Sequence, residues 1–383
     1  MGKNNEAKKR GWQCIGEIFN KKEDFFEKTL FLQGYDFSSN IYVVVGDYLS
    51  LIDAGNDYTA FIQLFNLGFK PTDIKKIVLT HTHLDHVMGI IELLRAYPSI
   101  IQTGGFELIL HKTASANFKE IVKEYGCKVT EVIGGEIFKL GDFECEVVYT
   151  PGHTRDGICI YHTQTKTVFT GDTVLPDVIS GIDKNAGGDL FSYLYGIRSL
   201  LKRDIENLLP GHGILKASQG KEIIEKTYEA LIREITNTDS KTPWIKLAIE
   251  LAQQEFLEEA VFCCNKELII NPKDLKSLQL KALCLTDLGQ YTEAVKLFDK
   301  ILQQQSNNLY ALIGKGKALM GQKKYNESLE YFNKALKIKP DIKEAQIYKG
   351  ITLYLSGKHE EAMNIEAFKK ELSIIEKGGV NFG

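Results

Sequence analysis

The 383-residue chain predicts a mixed α/β layered domain over residues 14–236 and an all-α repeat array over residues 244–376. Three observations carry this reading. Short apolar runs of strand character alternate with stretches of helical spacing through the first part of the chain. The segment 237–243, Asn-Thr-Asp-Ser-Lys-Thr-Pro, is then polar and ends in proline, as a linker does. Beyond it the sequence repeats itself every 34 residues.

Taken in order, residues 1–13 read as a flexible tip carrying the short basic run Lys8-Lys9-Arg10. Residues 41–52, IYVVVGDYLSLI, read as a hairpin turning at Gly46-Asp47 and running into Asp53-Ala54-Gly55. Helical spacing covers 58–67 and 84–95, and strand-like runs recur near 107–110, 128–133, 143–149, 158–162 and 167–170. A helix over 218–236 follows, with Ile224, Tyr228, Leu231 and Ile235 on one face and Ser218 as its N-cap. Mixed in this order, the elements fit two sheets with helices outside.

The most informative stretch is His81-Thr82-His83-Leu84-Asp85-His86, which directly follows the apolar run Ile77-Val78-Leu79. His81 and His83, two apart in extended chain, point the same way, and Asp85 and His86 lie on the following turn. One loop can therefore feed two metal ions. Imidazole with carboxylate suits zinc or another borderline first-row metal better than calcium or magnesium. Further strand-like runs end in Pro151-Gly152-His153, Gly171-Asp172-Thr173 and Pro210-Gly211-His212. Each of these ligand candidates sits beside a glycine, which lets the backbone turn sharply.

In this order and spacing the motifs resemble the metallo-β-lactamase superfamily over roughly the first 215 residues. The resemblance implies an αββα sandwich. It assigns His81, His83 and His153 to one metal and Asp85, His86 and His212 to a second, with Asp172 bridging. It also implies a dinuclear centre, two zinc ions with iron or manganese as alternatives, whose bound hydroxide cleaves an ester, thioester or lactone. Asp85 would steer that nucleophile while ligating. Asp53 resembles the family's buried brace of the ligand loops, although it also reads as an ordinary turn residue. His111, His162 and His359 read as structural.

Only 39 residues separate Asp172 from His212, too few for the inserted domain of the nucleic-acid-cleaving β-CASP branch. The motifs look most like those of the glyoxalase II-like hydrolases. In those enzymes a C-terminal helical region supplies basic groups to glutathione; here repeats replace it, so a glutathione thioester is one candidate among several. A mononuclear-iron persulfide dioxygenase shares the motif. A repeat-bearing adaptor with a structural metal domain is a third reading.

In the repeat region Glu259-Ala260, Glu293-Ala294, Glu327-Ser328 and Glu361-Ala362 fall in register, as do Leu251, Leu285, Leu319 and Leu353. The pattern resembles the tetratricopeptide repeat (TPR), in four units at about 241–274, 275–308, 309–342 and 343–376. The fourth departs after Ala362: Glu366 stands where Phe298 and Phe332 stand in its neighbours, as a polar terminal cap would have it. The concave positions of such an array read Ile245, Ile249, Leu283, Tyr310, Ile313, Met320, Ile347, Ile351 and Tyr354. Lys276, Lys317 and Glu344 are the charges among them. An apolar groove of this kind fits a segment of a protein partner or of a second copy of the chain.

Composition narrows the rest. A net charge of −3 leaves no footprint for nucleic acid, and no apolar run reaches the length of about 18 residues that a membrane span needs. Seven cysteines without CxxC or paired spacing read as small core residues of a reducing compartment, so a cytoplasmic protein acting on a small molecule is expected.

Overall fold

Residues 11–102 and 105–377 are described by a computed structural model, which divides between Ile235 and Thr236 into two units. Among the described residues, all the strands belong to the N-terminal unit. One sheet runs in the order β1 (Gln13–Cys14), β2 (Thr29–Leu32), β3 (Ile41–Val45), β4 (Leu49–Ile52), β5 (Ile74–Val78), β6 (Glu107–His111), β7 (Lys128–Val132). Its first four strands are antiparallel and its last four parallel. The second sheet reads β12 (Asn207–Pro210), β11 (Thr167–Gly171), β10 (Ile158–His162), β9 (Phe143–Tyr149), β8 (Ile137–Leu140).

Strands β3, β4 and β6 of the first sheet are buried on both faces because both faces are covered. With the two-residue period of a strand, Val43, Leu51, Ile77, Leu108 and Leu110 join one cluster with Phe61, Leu64, Val87, Ile90 and Phe118. Those last residues come from α3 (Thr59–Asn66), α4 (Leu84–Ala96) and α6 (Ala116–Glu124), following the short α1 (Ile15–Phe19), α2 (Asp24–Glu27) and α5 (Ser99–Gln102). Tyr42, Val44, Ile52, Val78 and Ile109 face the other way and pack on Val147, Ile158, Ile160, Phe169 and Leu209 of the second sheet. On that sheet's far side come α7 (Leu190–Leu201) and α8 (Gly220–Ile235), with Tyr193, Ile197, Ile224, Tyr228 and Leu231 buried. The layering is αββα.

Local expectations are amended in three places. The basic run Lys8-Lys9-Arg10 lies outside the described residues, but Gln13 is part of a strand, and the Trp12 indole donates to Ala60 O at 3.2 Å. Ser218 does not cap a helix: it sits in the left-handed region at φ 59°, and its own N–H donates to Asn207 Oδ1. Ile235 is only half-buried, the inward face being set instead by Ile223, Ile224, Thr227, Tyr228, Leu231 and Ile232.

The C-terminal unit is a helical repeat array: α9 (Trp244–Gln253), α10 (Leu257–Ile270), α11 (Leu275–Asp287), α12 (Tyr291–Gln304), α13 (Leu309–Gly321), α14 (Tyr325–Ile338), α15 (Lys343–Leu355), α16 (His359–Met363), α17 (Glu366–Lys377). Helix starts at 275, 309 and 343, and at 257, 291, 325 and 359, keep the 34-residue spacing. A small residue recurs at the same interval, Ala248, Ala282, Gly316 and Gly350, and at the two glycines a ring from the second helix lies against it. A Cβ on Gly316 would meet the Phe332 ring at 2.6 Å, and one on Gly350 would meet Phe368 at 2.3 Å.

The last unit therefore differs from the sequence expectation. Its second helix breaks at Asn364-Ile365 into α16 and α17, and the two extra residues bring Phe368, 4 % exposed, to the place that Glu366 holds by strict period. The cap is apolar on its inner side. In the expected groove, Ile249, Tyr310 and Tyr354 are exposed, whereas Ile313 is buried beside Leu312 and Phe332 and belongs to the helix-packing core.

Candidate metal centre

Four strand ends supply the seven candidate ligands. β5 runs through Leu79 and Thr80 into His81 and His83, and α4 opens at Leu84, placing Asp85 and His86 in its first turn. His153 follows β9, Asp172 follows β11, and His212 follows β12. Parallel pairing of β11 with β12 sets Gly171 beside Pro210, so Asp172 and His212 emerge together. Gly211 must be glycine for this: a Cβ there would lie 2.3 Å from Asp172 Oδ1. The hairpin side is tied in by Asn40, whose Nδ2 donates to Pro210 O at 2.9 Å and to Gly213 O at 3.0 Å, and whose N–H donates to Gly211 O.

All seven side chains converge. Ligand atoms of His81, His83 and His153 lie within 4.8 Å of one another, as do those of Asp85, His86 and His212. A third group of the same tightness, His81, His86 and Asp172, joins the two. Asp172 spans both sides: Oδ2 is 3.8 Å from His153 Nε2 and 3.5 Å from His212 Nε2, while Oδ1 is 3.5 Å from His86 Nε2.

For four of the five imidazoles, the remote nitrogen's partner fixes which atom faces inward. His86 Nδ1 is 2.8 Å from Asp53 Oδ2, and His83 Nε2 is 3.0 Å from Asp183 Oδ2. His153 Nδ1 meets Gly181 O and Ser180 Oγ, and His81 Nδ1 meets Thr80 Oγ1. If each remote nitrogen carries the proton, His81 Nε2, His83 Nδ1 and His153 Nε2 turn lone pairs toward each other across 3.1 and 3.2 Å. A cation between them satisfies all three. His86 Nε2 and Asp172 Oδ1 are likewise buried with no hydrogen-bond partner, which is costly unless something else binds them. Five imidazoles and two carboxylates fit zinc, iron or manganese.

Electrostatics point the same way. Burial opposes charge on His86, but the carboxylates of Asp53 and Asp172 outweigh it and raise the imidazole well above its usual range. Burial also opposes charge on Asp172, yet the neighbouring His86 holds that carboxyl far below the carboxylate range. His81, buried among other imidazoles, is pushed well down, chiefly by desolvation. An ionised Asp172 thus sits beside a His81 that burial keeps neutral, and a metal ion would meet that carboxylate without protonating the imidazole.

Asp53 is a brace. Buried and at φ 57°, a strained angle for a non-glycine residue, it accepts from Thr80 N–H, Thr80 Oγ1 and His86 Nδ1. Sequence reasoning did not find the 180–188 loop. There Asp183 donates its N–H to His153 O, accepts from Asn185 and Ala186 N–H through Oδ1, and meets His83 through Oδ2. The Asp-Lys-Asn-Ala-Gly-Gly composition at 183–188 signals a turn, but nothing in it signals a histidine partner. His111 stacks on Tyr149 at 4.1 Å and His162 on Phe25 at 4.1 Å, away from the cluster, and His359 opens α16. None of the three joins a candidate ligand group among the described residues.

A layered αββα domain with an imidazole–carboxylate cluster at its strand ends defines a class of metal-dependent enzymes, and the comparisons name it. Residues 34–212 match the metallo-beta-lactamase superfamily, so this unit is a metallo-β-lactamase domain. Residues 253–335 match the anaphase-promoting complex, cyclosome, subunit 3 family, in keeping with TPR-like repeats. The chain is 27% identical over 222 residues to an atrochrysone carboxyl ACP thioesterase of Aspergillus fumigatus, covering 57% of this chain and 61% of the relative. It is 33% identical over 129 residues to a hydroxyacylglutathione hydrolase of Buchnera aphidicola, covering 34% and 45%. The chain thus spans 45% to 61% of the length of these relatives. A metallo-beta-lactamase family protein from Thermus thermophilus aligns with a TM-score of 0.42 at 19% identity, over 58% of this chain and 87% of that one.

Proposed function

We propose that the chain is a metal-dependent hydrolase of a thioester, ester or lactone, with a dinuclear centre, zinc being the metal best matched to its donors. The observation that carries this is the pair of inward-facing triads with Asp172 between them. A one-metal dioxygenase would use one triad and leave Asp85, His86 and His212 gathered to no purpose. When bound, a pair of divalent cations supplies a water acidified toward neutrality and an electropositive wall for a developing oxyanion.

The protein's own part is positioning. Asp183, Ser180 and Gly181 hold the first triad, and Asp53 holds the second through His86. Asp85, 3.0 Å from His212 Nε2 and partly exposed, orients the attacking water. The names of the relatives, a thioesterase and a hydroxyacylglutathione hydrolase, support this reaction type. We assign the repeats to protein docking. A cytoplasmic setting is supported by seven unpaired cysteines; among the described residues, no helix is long and apolar enough to cross a membrane.

Elemental analysis coupled to thioester turnover tests the proposal. Two metals per chain are expected, with His83→Ala abolishing turnover and Asp172→Ala losing one metal and nearly all activity. One iron per chain with no thioester cleavage would mean a dioxygenase instead, and less than one metal of any kind would remove the centre altogether.

A further inference from the structure

Large exposed apolar side chains crowd the segments that carry or prop the candidate ligands. Leu84 stands between His83 and Asp85, and Ile214 lies two residues beyond His212. Val178 and Ile179 directly precede Ser180 and Gly181, which hold His153. Tyr35 and Phe37 ride on the loop between β2 and β3, which Ser39 N–H ties to Asp85 O and Asn40 ties to the His212 loop. These six are between 47% and 86% exposed.

A single exposed leucine means nothing, but six exposed apolar side chains on the loops that carry or hold one set of converging polar atoms make the composition of a small-molecule site. The charge in the same segments is sparse. Residues 33–38, 174–181 and 212–216 hold Asp36, Asp177 and one cation, Lys216, whose ammonium lies 3.5 Å from Asp177. A leaving group carrying several carboxylates or phosphates finds no surplus of positive charge there.

Resting on the hydrolase reading, we propose that the acyl part of the substrate is a medium-to-long alkyl or aromatic group, gripped by this apolar rim with its carbonyl turned to the metal cluster. Hydrolysis then forms a C–O bond from water to the acyl carbon and breaks the C–S bond. The thiol takes up one proton of the water, and the apolar carboxylic acid leaves. The rim selects the acyl group rather than the thiol.

The test uses the metal-loaded full chain and N-acetylcysteamine thioesters of acetate, butyrate and octanoate. A fully buried methylene contributes about fourfold, so a half-exposed rim predicts about twofold in kcat/KM per methylene, roughly 60-fold from acetyl to octanoyl. The double variant Phe37→Ser, Ile214→Ser lowers the octanoyl-to-acetyl ratio by about fivefold or more. A flat profile, or a ratio unmoved in the variant, overturns the rim and leaves the hydrolase reading standing. No turnover at any length overturns the hydrolase reading. In that case octanoate and acetate binding, measured by calorimetry, still decides the rim: octanoate tighter by about tenfold or more supports it, and equal affinity overturns it.

Discussion

At the scale of single residues, the tautomer of each histidine matters as much as its position. Asp183 presents His83 with an acceptor at Nε2, so that Nδ1 is the nitrogen left for a metal. The Ala186 N–H above all, then that of Asn185 and the His83 contact, hold its carboxyl below the ordinary value, so it stays an acceptor. Asp183→Ala should weaken binding at the His81, His83, His153 triad about 10–100-fold in a chelator-competition titration. Asp183→Asn, which keeps a carbonyl acceptor, should restore most of it. Equal weakening in both variants, or none in either, would mean the contact does not orient His83. A second residue gives a pH signature. Burial pushes His162 down to about 4, whereas an unfolded chain takes up that proton near 6.5. The stability it contributes is therefore complete above pH 6.5 and is lost as pH falls from there toward 4. In urea unfolding of metal-free protein, the wild type should lose about 1–2 kcal/mol more than His162→Phe between pH 7 and pH 5. Parallel losses would contradict this. The seven ligand candidates were legible from sequence because each follows an apolar run of strand character, directly or, for Asp85 and His86, in the first turn of the helix beyond it. Asp183, Ser180 and Gly181 were not, since two of their three ties to His153 run through the backbone, which any residue supplies.

At the scale of elements, what sequence periodicity conveys is which face is buried, and it fails where the period itself slips. The hairpin at 41–52, the helix after His83 and the strands at 143–149 and 158–162 stand where alternation and spacing put them. The short β1, β2 and β8 escaped because two to four residues carry too little pattern, and β8 leaves Ile137 exposed. In the last repeat, the break at Asn364-Ile365 moves the anchoring ring by two residues, and a strict 34-residue register then points to Glu366. The two assignments predict different mutants. Phe368→Ala should destabilise the terminal repeat by about 3–5 kcal/mol, whereas Glu366→Ala should change it by less than about 0.5 kcal/mol. Hydrogen exchange of α15 in the full chain reads both. Greater loss of protection in the Glu366 variant would restore the strict register.

At the scale of the molecule, hydrophobic clusters form within each unit: two draw on residues between Ile15 and Leu215 and three on residues between Leu278 and Phe368. Each of these clusters is assembled within one segment of chain, and the free energy of metal binding is expected to be read in the unit that carries the ligands. A ligand present at about a thousand times its dissociation constant adds about 4 kcal/mol to the state that binds it. For a domain of this size that corresponds to roughly 8–16 °C in melting temperature. Calorimetry of the full chain should therefore show two transitions. Chelator should lower the metallo-β-lactamase transition by about that amount and leave the repeat transition where it was. A single transition that moves as a whole would mean that the repeats unfold with the metal domain. In that case the binding energy of the metal, and any substrate energy added to it at the rim, would be felt by whatever partner the repeats engage.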